Sequence, residues 1–134
     1  MATISSSIKK EHYKTEINSS SGNTLIADEP TANGGQNLGF SPTEILASAL
    51  AACTSATLRM YADRKGWELD EVKLSIELTK NEKENITVIN RQLELIGNLD
   101  AAQRSRLLAI ANACPVHKIL SNPIEIITNE INNA

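Results

Sequence analysis

Rings are scarce in this 134-residue chain: aromatic residues make up 3% of it, and Tyr13, Phe40, Tyr61 and Trp67 are the only large ring surfaces. The core must therefore be mostly aliphatic. An excess of positive charge is also missing, since the formal net charge is −3. That disfavours a nucleic-acid binder, which needs a basic face to neutralise phosphates. The opening "MATISSSIKKEHYKTEI" lacks an apolar core of signal-peptide length, and no long uncharged apolar run follows. The expectation is a soluble, cytoplasmic protein with no membrane partner. Cysteine is the last scarcity, with only Cys53 and Cys114. In a reducing cytosol, a chain that can bury a core needs no disulfide staple, so any pairing of these two would be transient and chemical. The length suits one domain, residues 1–134, with one site.

What is present falls into clear segments. The stretch "IKKEHYKTEINSSSGNTLIAD" holds two modest strand-like runs around a polar Ser/Gly/Asn turn, which predicts a hairpin. "DEPTANGGQNLGFSP" is dense in Pro, Gly and Asn and reads as a long loop of the kind that lines sites. Ser41, Pro42 and Glu44 then form an N-cap, first-turn proline and capping-box pattern that opens a helix. Leu46, Ala49, Leu50, Cys53, Ala56, Thr57 and Met60 recur at helical steps until "RKG" ends the run, and this stripe is the expected core face. "EVKLSIELTK" alternates as a half-buried strand, "NEKEN" is a polar turn, and "ITVINRQLELIG" is a second, antiparallel strand. Asp100 caps a short amphipathic helix in "AAQRSRLLAIANA". "CPVHKILSN" starts a fresh helical turn at proline, and "PIEIITNEI" reads as a final strand. Strands, helix, strands, helices and strand make an α+β fold with antiparallel pairing.

The candidate chemistry lies in the thiols. Cys114 stands directly before a helix-opening proline, at the N-cap, where unpaired N–H groups and the helix dipole favour a thiolate. His117, three residues on, falls on the same side of that turn and could donate to the sulfur or take its proton. The plain alternative is a small buried apolar residue with a histidine nearby by coincidence. Cys53 lies in an apolar helical stripe and reads by itself as a core cysteine, whose pKa an apolar pocket would raise. Glu44 lies roughly opposite Cys53 on the helix, and Arg64 shares its face but lies about 16 Å along the axis. Cys53, Cys114 and His117 could supply three zinc ligands, but short-range ligand spacing occurs only at the Cys114 end, so no metal or other cofactor is expected. "NGGQNLG" lacks the following Lys of a phosphate loop, and no G-x-S-x-G occurs to bring His12 or His117 into a serine triad.

Taken together, "GFSPTEILASALAACTSATLRMYADRKG", "ANACPVHKIL" and the terminal "IEIIT" resemble the OsmC-like family, which includes OsmC and the organic hydroperoxide resistance proteins. The resemblance runs from about Asp28 to Glu130. It implies an α+β fold with antiparallel sheets around a long central helix, two chains intertwined as a homodimer, and sites at the subunit interface. It also implies a thiol peroxidase acting in oxidative stress defence on organic hydroperoxides, with H2O2 as a further oxidant. In that scheme the cysteine matching Cys53 attacks the peroxide, the one matching Cys114 condenses with the resulting sulfenic acid, and a thiol or lipoyl-type dithiol reduces the disulfide.

Two departures stand out. The family's peroxidases place an arginine from the N-terminal region over the attacking sulfur, whereas only Lys9, Lys10 and Lys14 precede Cys53 here. They also carry an acid directly after the proline, where this chain has Thr43, with Glu44 one position later. The pattern resembles members outside the dedicated hydroperoxide resistance subgroup. The competing expectation is a non-catalytic protein of the same fold that binds a small hydrophobic molecule at the dimer interface.

Overall fold

Short-range signals set the elements, and the structure, a computed structural model, describes residues 1–131. Strands β1 (Ile4–Ile8), β2 (Thr15–Ser19) and β3 (Thr24–Ala27) form an antiparallel sheet in that order. The β2–β3 hairpin turns where the sequence places it, with Gly22 at φ 99°. The long loop that follows folds around one side chain. Asp28 is 2% exposed, and its carboxylate accepts the N–H groups of Tyr13 at 3.0 Å, Glu29 at 2.7 Å, Gln36 at 3.3 Å and Leu38 at 3.1 Å. Phe40 closes the loop through a parallel bridge to Ala27, and a Cβ on Gly39 would overlap the Ile26 carbonyl there.

Helix α1 (Pro42–Lys65) begins with the expected capping box: Ser41 N–H donates to the Glu44 carboxylate at 2.8 Å, and Glu44 N–H donates to Ser41 Oγ at 3.3 Å. Gly66, at φ 71°, stops it. Strands β4 (Glu68–Asn81) and β5 (Ile86–Asn98) pair across a turn too short for anything but antiparallel pairing. Val72, Leu74, Ile76 and Leu78 are half-buried and alternate with exposed neighbours. Helix α2 (Ala101–Ala111) has a full capping box between Asp100 and Gln103, and α3 (Pro115–Ser121) is the short proline-led helix.

The chain divides into two compact units interleaved along the sequence. One is Met1–Ala49 with Ile76–Asn90, and the other is Leu50–Ser75 with the chain from Arg91 onward. The second unit holds the main core, in which Leu58, Tyr61, Ala62, Leu69, Leu95, Leu107 and Ala111 pack together with Trp67 against them. That core corrects the expected face of α1. The buried positions are Leu50, Thr54, Leu58, Tyr61 and Ala62, while Met60 is 70% exposed and Ala49 and Ala56 lie open. A threonine can occupy the apolar face because its hydroxyl donates to Leu50 O, one turn back, at 2.6 Å.

A second correction concerns residues 123–131, which form no strand. Strand geometry is stabilised by a neighbouring ladder, and nothing among the described residues pairs with this segment. Ile124, Ile126, Ile127 and Ile131 are exposed in consequence.

Candidate active site

The first turn of α3 builds the site. Pro115 occupies the first helical position, where its missing N–H is not needed, and Cys114 is the N-cap with extended backbone. The Cys114 sulfur accepts the His117 N–H at 3.3 Å. Val116 N–H, in the same turn, donates to Cys53 Sγ at 3.5 Å. Two thiols 61 positions apart in sequence thus share the donor end of one turn. Both cysteines are free; Cys53 is half-buried and Cys114 is 0% exposed.

Burial pushes the Cys114 thiol up, but its polar neighbours, the Cys53 thiol and the His117 N–H foremost, outweigh it. The thiol ends below its ordinary range because each of these donors favours the thiolate.

Arg91, on β5, organises the other side of the site. Its Nη1 donates to Thr54 Oγ1 at 3.1 Å, and its Nη2 reaches Asn112 Oδ1 at 2.9 Å and His117 Nδ1 at 3.2 Å. A guanidinium only donates, so Nδ1 is the acceptor and the His117 ring proton is on Nε2. Thr54 Oγ1 in turn lies 4.0 Å from Cys114 Sγ. All of Arg91's hydrogen-bond partners are neutral, and among the described residues no carboxylate pairs with it.

Cys53, Cys114 and His117, the three residues singled out in the sequence for thiol chemistry, are therefore brought together. His117 contributes differently from the expectation: its backbone N–H binds the sulfur while its ring holds Arg91. Glu44 and Thr43 belong to the other unit. The Glu44 carboxylate is committed to Ser41, whose backbone N–H and hydroxyl hold its pKa down, and Thr43 is exposed. No three His, Cys, Asp or Glu side chains converge as metal ligands among the described residues. α1 has the length and composition of a membrane span, and its Leu58, Tyr61 and Ala62 pack into the core with Leu107 and Ala111 of α2.

The family model for OsmC-like proteins matches residues 34–129, a span that contains both thiols and α1 through α3. The chain belongs to the OsmC-like family. Solved OsmC-like structures share its fold. The OsmC-like protein of Mycoplasma pneumoniae superposes with a TM-score of 0.77 at 19% identity, over 90% of this chain and 86% of that one. The organic hydroperoxide resistance protein OhrB of Bacillus subtilis gives 0.63 at 24% identity, over 90% of both chains. The organic hydroperoxide resistance protein OsmC of Legionella pneumophila gives 0.65 at 18%, over 90% of this chain and 89% of that one. No curated protein matches the sequence. Within this OsmC-like chain, Arg91, Thr54 and Asn112 are the site residues that sequence reasoning missed. The signal was present in Arg91, an arginine on the otherwise apolar-alternating β5, at a position that faces inward with Leu93 and Leu95.

Proposed function

We propose that the protein is a cytoplasmic, homodimeric thiol peroxidase that reduces organic hydroperoxides, and H2O2 as a further oxidant, in oxidative stress defence. The observation that carries this reading is the convergence of two free thiols, one half-buried and one buried, on neighbouring N–H groups of one helical turn.

Exposure and acidity assign the roles together. The surroundings of Cys114 favour its thiolate, yet that sulfur is closed to solvent. Cys53 is the sulfur a peroxide can reach. The Cys114 thiolate takes the Cys53 proton, which makes Cys53 the nucleophile and supplies what the absent upstream arginine does not. Cys53 sulfur attacks the terminal peroxide oxygen, the O–O bond breaks, and the alkoxide leaves as alcohol with the proton from Cys114. The sulfur becomes a sulfenic acid, oxidised by two electrons. The Cys114 thiolate then displaces hydroxide from it, which takes a proton from solvent to become water, and the Cys53–Cys114 disulfide forms. A thiol or lipoyl-type dithiol returns the two electrons by exchange. A second copy of the chain covers the exposed isoleucines of residues 124–131 and gives the segment a strand partner.

The test is stoichiometric titration of wild type, Cys53→Ser and Cys114→Ser with cumene hydroperoxide and H2O2, in the presence and absence of a dithiol. Wild type consumes one equivalent of peroxide and loses both thiols. Cys114→Ser holds a persistent sulfenic acid at Cys53, and Cys53→Ser consumes none at a comparable rate. Equal consumption by wild type and Cys53→Ser would sink the peroxidase assignment in favour of a non-catalytic hydrophobic-ligand protein.

A further inference from the structure

A second concave site lies in the same unit, between the C-terminal half of α1 and α2. Thr57, Met60, Tyr61 and Arg64 recur at helical steps on α1 and face Arg106, Ile110 and Ala113, enclosing a cavity of about 390 Å³. That volume suits a small ligand. Its walls are apolar at Met60, Ile110 and Ala113 and basic at one end.

The basic end is unusual for a chain whose net charge is −3. Three cations surround the Tyr61 ring: Arg64 Cζ at 5.5 Å, Lys65 Nζ at 5.7 Å and Arg106 Cζ at 5.8 Å from its centroid. Arg106 Nε donates to Tyr61 Oη at 3.0 Å, which fixes the guanidinium plane. That bond, against burial and with the charges of Arg106, Lys65 and Arg64, holds the Tyr61 hydroxyl below its ordinary range, a sign of the local positive potential. No carboxylate lies within ion-pair distance of Arg64, Lys65 or Arg106 among the described residues, because the one ion pair there, Arg59 with Asp63, leaves them out. Among the described residues, the terminal N–H groups of Arg106 donate to no acceptor and Arg64 makes no hydrogen bond. An oriented guanidinium with a free fork, at the mouth of an apolar groove, is built for a carboxylate with a hydrocarbon tail.

We infer that the groove between α1 and α2 binds a small amphipathic carboxylate, its head between Arg64 and Arg106 and its aliphatic tail along Met60, Ile110 and Ala113. Charge complementarity selects this occupant, since the two guanidinium groups at the mouth of the groove have no carboxylate partner among the described residues. The site uses none of the thiol machinery, so it stands or falls separately from the peroxidase reading.

Two residues report on it directly. Met60 lines the groove and is one of two methionines, so methyl-labelled protein gives one signal from the site and one from Met1. Trp67, the single tryptophan, meets the Tyr61 ring edge-on at 5.5 Å between centroids. Full-length protein is titrated with octanoate, octanol and inorganic phosphate at low ionic strength. Octanoate shifts the Met60 methyl saturably, leaves Met1 unmoved and changes Trp67 fluorescence with the same midpoint. Octanol and phosphate each bind at least roughly tenfold more weakly, the scale of one lost charge-assisted contact. The variant carrying R64Q and R106Q, both exposed positions, keeps its thermal midpoint, loses octanoate binding by a similar factor and binds octanol as before. Cys53→Ser binds octanoate like wild type. The proposal is overturned by an unmoved Met60, by octanol or phosphate matching octanoate, by octanoate binding unchanged in the double variant, or by a Met60 signal that moves with protein concentration alone, which would assign the groove to a second copy.

Discussion

Arg91 donates to the Thr54 hydroxyl at 3.1 Å, and that same hydroxyl oxygen lies 4.0 Å from the Cys114 sulfur. The arginine thus reaches the thiol pair through one side chain, while Asn112 and His117 hold its other nitrogen. Three uncharged groups fix a cation that no carboxylate pairs with among the described residues.

Replacing Arg91 should therefore slow the thiol chemistry without unfolding the protein. For Arg91→Gln the expected fall in the second-order rate with cumene hydroperoxide is on the order of tenfold or more, the size of a hydrogen-bond network losing its charged member. Arg91→Lys keeps the charge but not the fork, so it recovers only part of the rate. The measurement that separates this from general loosening is the pH profile. Both variants move the thiolate transition to higher pH, with the thermal midpoint recorded alongside. An unchanged profile would remove Arg91 from the electrostatics of the site.

The Cys114 thiol gives a second pH observable. Its folded-state pKa is lowered, so the thiolate is present from a pH below the ordinary thiol value and is lost as pH falls through the folded value. Stability linked to this group is accordingly present in the alkaline range above the unfolded value and lost on acidification. Ultraviolet thiolate absorbance should show a low-pH step in wild type that vanishes in Cys114→Ser. In Cys53→Ser the step moves upward if the serine hydroxyl donates less well than the cysteine thiol's place in the pair requires. A low-pH step that survives in Cys114→Ser would reassign the resting thiolate to Cys53.

Asp28 governs a different region by the same linkage. Burial pushes its carboxyl up, but N–H groups of Leu38, Tyr13, Glu29 and Gln36 outweigh that, and its pKa is lowered. A carboxylate with a depressed folded pKa stabilises above its unfolded value, and the contribution is lost as pH falls through the folded value. The wild-type urea midpoint should drop between neutral pH and pH values below the ordinary aspartate range, and Asp28→Asn should start lower at neutral pH and lose less on acidification. Parallel losses in the two proteins would separate Asp28 from the acid sensitivity.

How much of this was legible in the sequence follows the range of each interaction. The capping boxes at Ser41 and Asp100, the glycine stop at Gly66, the alternation of β4 and the N-cap position of Cys114 are all set within a few residues, and each formed as read. The α+β class followed from their order. Arg91 was invisible because the cation was sought upstream of Cys53, whereas β5 delivers it from downstream through tertiary pairing. Asp28 looked like any loop acid until four N–H groups from two segments closed on it. The stripe of α1 was misplaced by one face because Thr54 scores as polar, and back-bonding to Leu50 makes it a core residue.

The terminal isoleucines are the remaining mismatch, and they yield a test of assembly. Ile126 and Ile127 are 83% and 76% exposed, although their segment reads as a strand. Burying an isoleucine is worth roughly 1.5–3 kcal/mol, so leaving these in water forfeits stability that pairing with a second copy would recover. In Ile126→Lys with Ile127→Lys, both the apolar area and the pairing are opposed, and the change lies outside the core cluster and the thiol site. Sedimentation velocity should find wild type as a dimer and the double variant dissociating at a concentration at least about tenfold higher, since each ~1.4 kcal/mol is a factor of ten. Amide exchange at residues 124–131 should be slow in wild type and fast in the variant. If both proteins sediment alike and exchange alike, the segment is not the dimer's strand, and the exposed isoleucines need another partner.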